Sequence, residues 1–243
     1  MRGARTVGAA ATVAAGVELL HLAPAAVRLP ALRRTVARRT AGHGAPDRVA
    51  LTFDDGPDPA STPYILDALD RLELRATFFL LGAMLERAPG LGRDLVERGH
   101  EVAVHGWHHR TPWYPAPRRD LAEVRRAAEA VAGLCGARPR WYRPPYGVLT
   151  GGLALAARRE GLRTVLWTAW GRDWTERATP ASVYRTAAPG LVGGATLLLH
   201  DSDCTSAPGS WRATLGALPA IADHCRERGL GLGPLREHGL AGG

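Results

Sequence analysis

Four short apolar runs in this chain each end in a cluster of reactive side chains, and that repeated ending constrains the fold more than any other feature. Val49–Phe53 leads into Asp54-Asp55-Gly56-Pro57, and Glu101–Val104 into His105-Gly106-Trp107-His108-His109. Strand-like Trp141-Tyr142 leads into Arg143-Pro144-Pro145-Tyr146-Gly147, and Ala195–Leu199 into His200-Asp201. Ala76–Leu81 and Thr164–Thr168 are further runs of the β type. Helical stretches lie between them. Thr62 before Pro63 and Thr179 before Pro180 mark starts, and Gly99, Gly161 and Gly229 mark ends. Strands separated by helices of this length make parallel βαβ units, so the expected fold class is α/β, as a sheet or barrel. In parallel barrels the loops after the C-terminal strand ends share one face, which predicts that the four clusters converge.

The residue types in those clusters suit metal chemistry. His105 and His109 are four apart, which lets two imidazoles meet one cation if the segment makes a helical turn. With one carboxylate they form a two-His, one-carboxylate set that leaves positions open for water and substrate. Two adjacent carboxylates in a buried loop raise each other's pKa unless a cation is present. A metal held by one of Asp54 and Asp55 relieves that repulsion and leaves the other to take a proton from water. Taken singly, the tetrapeptide also fits an ordinary acidic turn, and the histidine pair also fits satisfied surface or core imidazoles.

The order Thr52-Phe53-Asp54-Asp55-Gly56-Pro57, His105-x-x-x-His109, Arg143-Pro144-Pro145-Tyr146-Gly147, Asp173-Trp174 and Leu198-Leu199-His200-Asp201 resembles the polysaccharide deacetylase family, the NodB-homology carbohydrate esterases. The resemblance runs from about Val49 to His238 and implies an irregular (β/α) barrel of the NodB-homology type over residues 49–243. It implies a metal-dependent hydrolase that removes N-acetyl groups from a carbohydrate such as peptidoglycan, a chitin-like oligomer or a lipid-linked amino sugar. Asp55, His105 and His109 match the metal triad, with Zn2+ the first expectation and Co2+, Ni2+ or Mn2+ as alternatives. Asp54 matches the general base, Arg143 the arginine that orients it, His200 the general acid and Asp173 the carboxylate that keeps His200 charged. Trp174 and Leu198 match the walls of the acetyl pocket, and the Tyr146 backbone N–H matches an oxyanion donor. Two other readings stay open: a catalytically inactive carbohydrate-binding relative, and a deformylase or O-deacetylase using the same site.

The chain departs from the family pattern in places. Gly106 stands where members usually carry Ser or Thr, His108 lies between the two ligand histidines, and Trp170 stands where some members have another Asp. Among the tryptophans, Trp167 and Trp211 are expected in the core and Trp174 in the cleft.

The formal charge of +8 does not point to nucleic acid. All 31 basic residues are arginine; residues 1–48 hold eight of them against two acids, and the other 195 residues hold 23 against 21. The excess therefore sits in the leader, and no nucleic-acid motif accompanies it. Within the leader, Ala-rich residues 7–27 follow Arg2 and Arg5 and precede a basic run, the order of a signal peptide or membrane anchor, though Glu18 and His21 interrupt it. An Ala-rich helix packed on the domain is the competing reading. The expectation is extracytoplasmic or membrane-associated protein through residues 1–48, with a cytoplasmic one left open. Cys135, Cys204 and Cys225 form neither a metal-binding pair nor a disulfide framework.

Overall fold

The structure, a computed structural model, describes residues 21–29 and 38–240. Most of the expected leader lies outside the described residues, and among those described no helix is long and apolar enough to cross a membrane.

Among the described residues there are eight strands: β1 (Arg48–Asp54), β2 (Thr77–Leu81), β3 (Glu101–Gly106), β4 (Trp141–Tyr142), β5 (Arg163–Thr164), β6 (Ala169–Trp170), β7 (Thr196–His200) and β8 (Gly231–Gly233). All pair in parallel in the order β5-β4-β3-β2-β1-β7-β6, with β8 beside the start of β1. Helices α1 (Arg38–Ala41), α2 (Thr62–Arg71), α3 (Gly82–Arg87), α4 (Pro89–Glu97), α5 (Pro117–Cys135), α6 (Gly151–Arg159), α7 (Pro180–Ala187) and α8 (Trp211–Glu227) complete the α/β pattern. The helix signals act as the sequence implies. Pro63 lies in the first turn of α2, and Thr179 caps α7 in a reciprocal box with Ser182. Gly99, Gly161 and Gly229 take positive φ just past their helices, a conformation glycine adopts without a Cβ clash.

The sheet curls into an irregular (β/α) half-barrel with two apolar layers. The larger core, including Leu51, Phe53, Phe78, Leu80, Val104, Leu197 and Leu199, lies between the sheet and its helices. A smaller cluster fills the interior: Ala50, Phe79, Ala103, Trp141 and Val165, with Leu235 and Leu240 from the C-terminal turn. The expected single strand Thr164–Thr168 is instead divided. β5 and β6 are the two edges of the sheet, and residues 165–168 cross from one to the other. At the two ends of the crossing Val165 N–H still donates to Tyr142 O, and Thr168 N–H to Thr196 O. A ladder cannot bridge edges that far apart, so the chain itself spans the gap.

Arg143 spans it as well. Its fully buried guanidinium donates to the Val165 and Leu166 carbonyls at 3.3 and 3.0 Å, and lies 4.0 Å over the Phe79 ring. Residues 40–45, upstream of β1, also join the domain: Leu166 N–H donates to Thr40 O, Thr196 Oγ1–H to Gly42 O, and Ala45 N–H to His238 O.

Candidate active site

The loops after β1, β3, β4 and β7 meet at the C-terminal face of the half-barrel, as the strand-end pattern requires. In the sheet Asp54 pairs directly with His200, which sets the ends of β1 and β7 side by side. They line a cleft of about 500 Å³, with His105 and His109 on its floor.

The next residue, Asp55, has φ +81, a left-handed conformation that aspartate tolerates better than most residues but still at a cost. Its ligand oxygen and the ligand nitrogens of His105 and His109 all lie within 4.8 Å of one another. Asp55 Oδ1 is 3.4 Å from His105 Nε2 and 3.6 Å from His109 Nε2, yet it is buried with no hydrogen-bond partner. Its other oxygen accepts from Thr205 Oγ1 at 2.5 Å. His105 Nδ1–H donates to the Arg143 carbonyl at 2.8 Å, which fixes the tautomer and turns the Nε2 lone pair toward Asp55. An unpaired buried carboxylate oxygen facing imidazole nitrogens is unfavourable on its own and well matched to a divalent cation, so these residues fit one.

The electrostatics agree with that fit. Burial opposes ionisation of Asp55, but a contact with His105 and the charges of His200 and both ligand imidazoles hold it well below the usual carboxylate range. Burial likewise opposes protonation of His105, and the Asp54 and Asp55 carboxylates outweigh it, so its pKa is raised. His109 is pushed the other way, to about 4, by burial and then by His105.

The histidines do not reach this point on a helical turn, as their spacing suggested. His105 and Gly106 end β3, and the chain reverses through Gly106 at φ +127. An added Cβ there would sit in left-handed backbone 3.3 Å from His108 O, which accounts for glycine at this position. His108 itself is exposed and outside the triad. His109 Nδ1 is buried without a partner.

Two ion pairs flank the triad. Asp54 Oδ1 accepts from Arg143 Nη1 at 2.7 Å, and the same nitrogen donates to Thr52 Oγ1 at 2.9 Å. Across the cleft, His200 Nδ1–H donates to Asp173 Oδ1 at 3.0 Å, while Asp173 Oδ2 accepts from His200 N–H at 2.7 Å and Thr214 Oγ1 at 2.6 Å. Burial alone would discharge His200, but Asp173 overcomes it and pushes the imidazole up to about 10.

The family model for polysaccharide deacetylases matches residues 41–165. A chitooligosaccharide deacetylase of Bradyrhizobium sp. (strain ANU 289) is 36% identical over 195 residues, 77% of this chain and 88% of the relative. The chain belongs to the polysaccharide deacetylase family. Another member, a peptidoglycan-N-acetylglucosamine deacetylase of Listeria monocytogenes, is 32% identical over 197 residues, 81% of this chain. The match spans 40% of the Listeria relative. Among solved structures, a family 4 carbohydrate esterase from Streptomyces lividans in complex with acetate superposes with TM-score 0.69 at 33% identity, covering 78% of this chain and 93% of that one. The Bc1960 peptidoglycan N-acetylglucosamine deacetylase superposes with TM-score 0.75 at 26% identity, covering 84% and 94%.

Within this cleft the expected site residues Asp54, Asp55, His105, His109, Tyr146, Trp174, Leu198 and His200 come together, with Arg143 and Asp173 one layer behind. Trp174 meets His200 edge-on at 5.6 Å, and Tyr146 meets His109 edge-on at 4.3 Å. Trp211 is buried as expected, but Trp167 is not a core residue. It rides on the crossing between the sheet edges, so its indole joins the cleft wall, packed against Gly147. Sequence reasoning missed Thr205 on Asp55, Thr214 on Asp173, and the exposed Trp113 on the wall. Nothing in a lone hydroxyl residue signals such a partner. Asp201 was seen only as part of a motif. It is fully buried, accepts from Thr62 Oγ1 at 2.5 Å, and packs so closely on Gly56 that an added Cβ would lie 2.1 Å from its Oδ2. Burial pushes its carboxyl up to about 7.

Proposed function

We propose that this chain is a metal-dependent hydrolase that removes the acetyl group from an N-acetylated carbohydrate. The observation that carries the reading is the unpartnered Asp55 Oδ1 between two imidazoles, with a carboxylate on one side and a charged imidazole on the other. Asp55, His105 and His109 would hold the cation. When bound, the metal supplies a Lewis acid that polarises the amide carbonyl and makes water acidic enough to react near neutral pH.

The protein's own groups divide the proton traffic. Asp54, oriented by Arg143, accepts the proton that the attacking water loses. His200, charged through its pairing with Asp173, donates a proton to the leaving amine. Acid and base stand on opposite sides of the scissile bond, so neither transfer waits for the other group to reset, and each is typically worth about 10²–10⁴-fold. Trp174 and Leu198 wall the acetyl methyl, and the backbone N–H of Tyr146 is the added donor to the developing oxyanion.

The test is acetate release from chitin oligomers and peptidoglycan fragments by the zinc-loaded protein. Release that stops with chelator and returns on adding metal supports the reading. A His105→Ala variant that still takes up one metal per chain and still releases acetate overturns the triad assignment.

A further inference from the structure

The loop between β7 and α8 holds Asp55 at two points. Thr205 Oγ1–H donates to Asp55 Oδ2 at 2.5 Å, and Cys204 Sγ–H donates to the Asp55 carbonyl at 3.5 Å. Neither contact belongs to the sheet, whose register between β1 and β7 ends at Asp54 opposite His200. The loop is itself tied down on both sides of Thr205. Before it, Cys204 N–H donates to Ser202 Oγ at 3.1 Å, and Ser202 Oγ–H to Asp58 Oδ2 at 3.2 Å. After it, Ser206 N–H donates to Asp203 O and Ala207 N–H to Trp174 O, each at 3.0 Å. Thr205 is therefore delivered to Asp55 by a braced turn, and its β-branched side chain has few rotamers to choose among.

That delivery settles which oxygen of Asp55 meets the imidazoles. The last torsion of an aspartate side chain is broad, so the backbone at Asp55 does not by itself fix how the carboxylate is turned. A donor on one oxygen does. With Oδ2 accepting from Thr205, Oδ1 is the oxygen left buried and unpaired, 3.4 and 3.6 Å from the two imidazole nitrogens. His105 is supported in the same way by the Arg143 carbonyl on its Nδ1, whereas His109 Nδ1 is buried without a partner. Two of the three ligand residues are thus held from behind. Removing a partner of this kind typically costs about 10–100-fold in metal affinity.

Resting on the metal-site reading above, we propose that Thr205 is a positioning residue for the ligand carboxylate of Asp55. Its hydroxyl turns the carboxylate so that Oδ1 faces the site before any cation arrives, and binding then pays no further ordering cost there. Thr205 acts through Asp55 and not on the reacting atoms. Its loss therefore weakens metal binding first, and the deficit in acetate release that follows closes again at saturating metal.

The test is the zinc affinity of the full chain, read by competition with a colorimetric chelator, in the wild type, Thr205→Val and Thr205→Ser. Valine keeps the shape and removes the donor, whereas serine keeps the donor. Thr205→Val is expected to bind zinc about 10–100-fold more weakly, with Thr205→Ser close to wild type. The urea midpoint of the metal-free protein should be the same in all three, which separates positioning from folding. Undiminished zinc affinity in Thr205→Val overturns the proposal. So does a serine variant as weak as the valine one, or a valine variant whose weaker binding comes with a lower metal-free midpoint. A wild type that binds no zinc sinks the metal reading, and the positioning role with it. One that binds zinc with this dependence on Thr205 but releases no acetate sinks the deacetylase reading alone, and one that releases acetate with no such dependence sinks the positioning role alone.

Discussion

The cleft is flanked by two carboxylate–cation pairs that look alike in outline and differ in which partner is free to react. On one side Arg143 is wholly buried and committed to four acceptors: Asp54, Thr52 and the carbonyls of Val165 and Leu166. An arginine so placed keeps its proton, so the carboxylate is the reactive member. On the other side the carboxylate is the committed one. Both oxygens of Asp173 are taken, by His200 and Thr214, and the imidazole, 14% exposed, faces the cleft and is the member that titrates. On the function proposed above, the same pairing serves as a base where the cation is locked and as an acid where the anion is locked. The base-side pair also closes the gap between the sheet edges, so there function and fold share one residue, whereas the acid-side pair hangs on a complete strand.

Breaking the base-side pair should have the largest effect. Arg143→Ala leaves Asp54 as an uncompensated buried charge and takes donors from two carbonyls of the crossing segment. The expected loss is about 3–5 kcal/mol of stability in urea unfolding, together with loss of acetate release. If that variant unfolds at the wild-type urea concentration, the contrast between the two sides fails.

Next comes His200→Asn. Acetate release should fall about 10²–10⁴-fold, with a smaller loss of stability than Arg143→Ala causes. That stability loss should depend on pH. Asp173 raises the folded-state pKa of His200 from 6.5 to about 10, so the pair stabilises the fold fully below pH 6.5 and ceases to as pH rises through about 10. The gap between wild type and variant in urea midpoints should therefore shrink over that window. A gap that widens with pH contradicts the assignment of His200 as the protonated member.

The smallest effect is expected for Asp173→Asn. Without the anionic partner His200 gives up its proton at lower pH, so the alkaline limb of the rate profile moves to lower pH while its acid limb stays. An unmoved alkaline limb would show that some other group sets it.

Much of this was legible before any coordinates. Each reactive cluster follows an apolar run, and the alternation of runs with capped helices implies parallel strands, so convergence at one face follows from topology. The β-runs from Val49, Ala76, Glu101 and Ala195 fall within a residue or two of β1, β2, β3 and β7. What failed has a physical cause in each case. β6 and β8, two and three residues long, carry too little pattern to be seen. Residues 164–168 read as one strand because their side chains suit a strand, but curling the sheet left two edges that only a crossing segment could join, and this moved Trp167 from the core to the cleft wall.

The sequence by itself determined the chemical inventory and its order along the chain, because a residue at the end of a buried strand has little freedom about which face it reaches. The tertiary structure decided the rest. Whether Asp55 Oδ1 lacks a partner, whether Thr205 reaches it from 150 residues away, and which member of each ion pair is locked depend on distances of a few ångströms. Those distances are set by packing among segments remote in sequence, and hydrogen bonds and ligand contacts fade within an ångström of their ideal length.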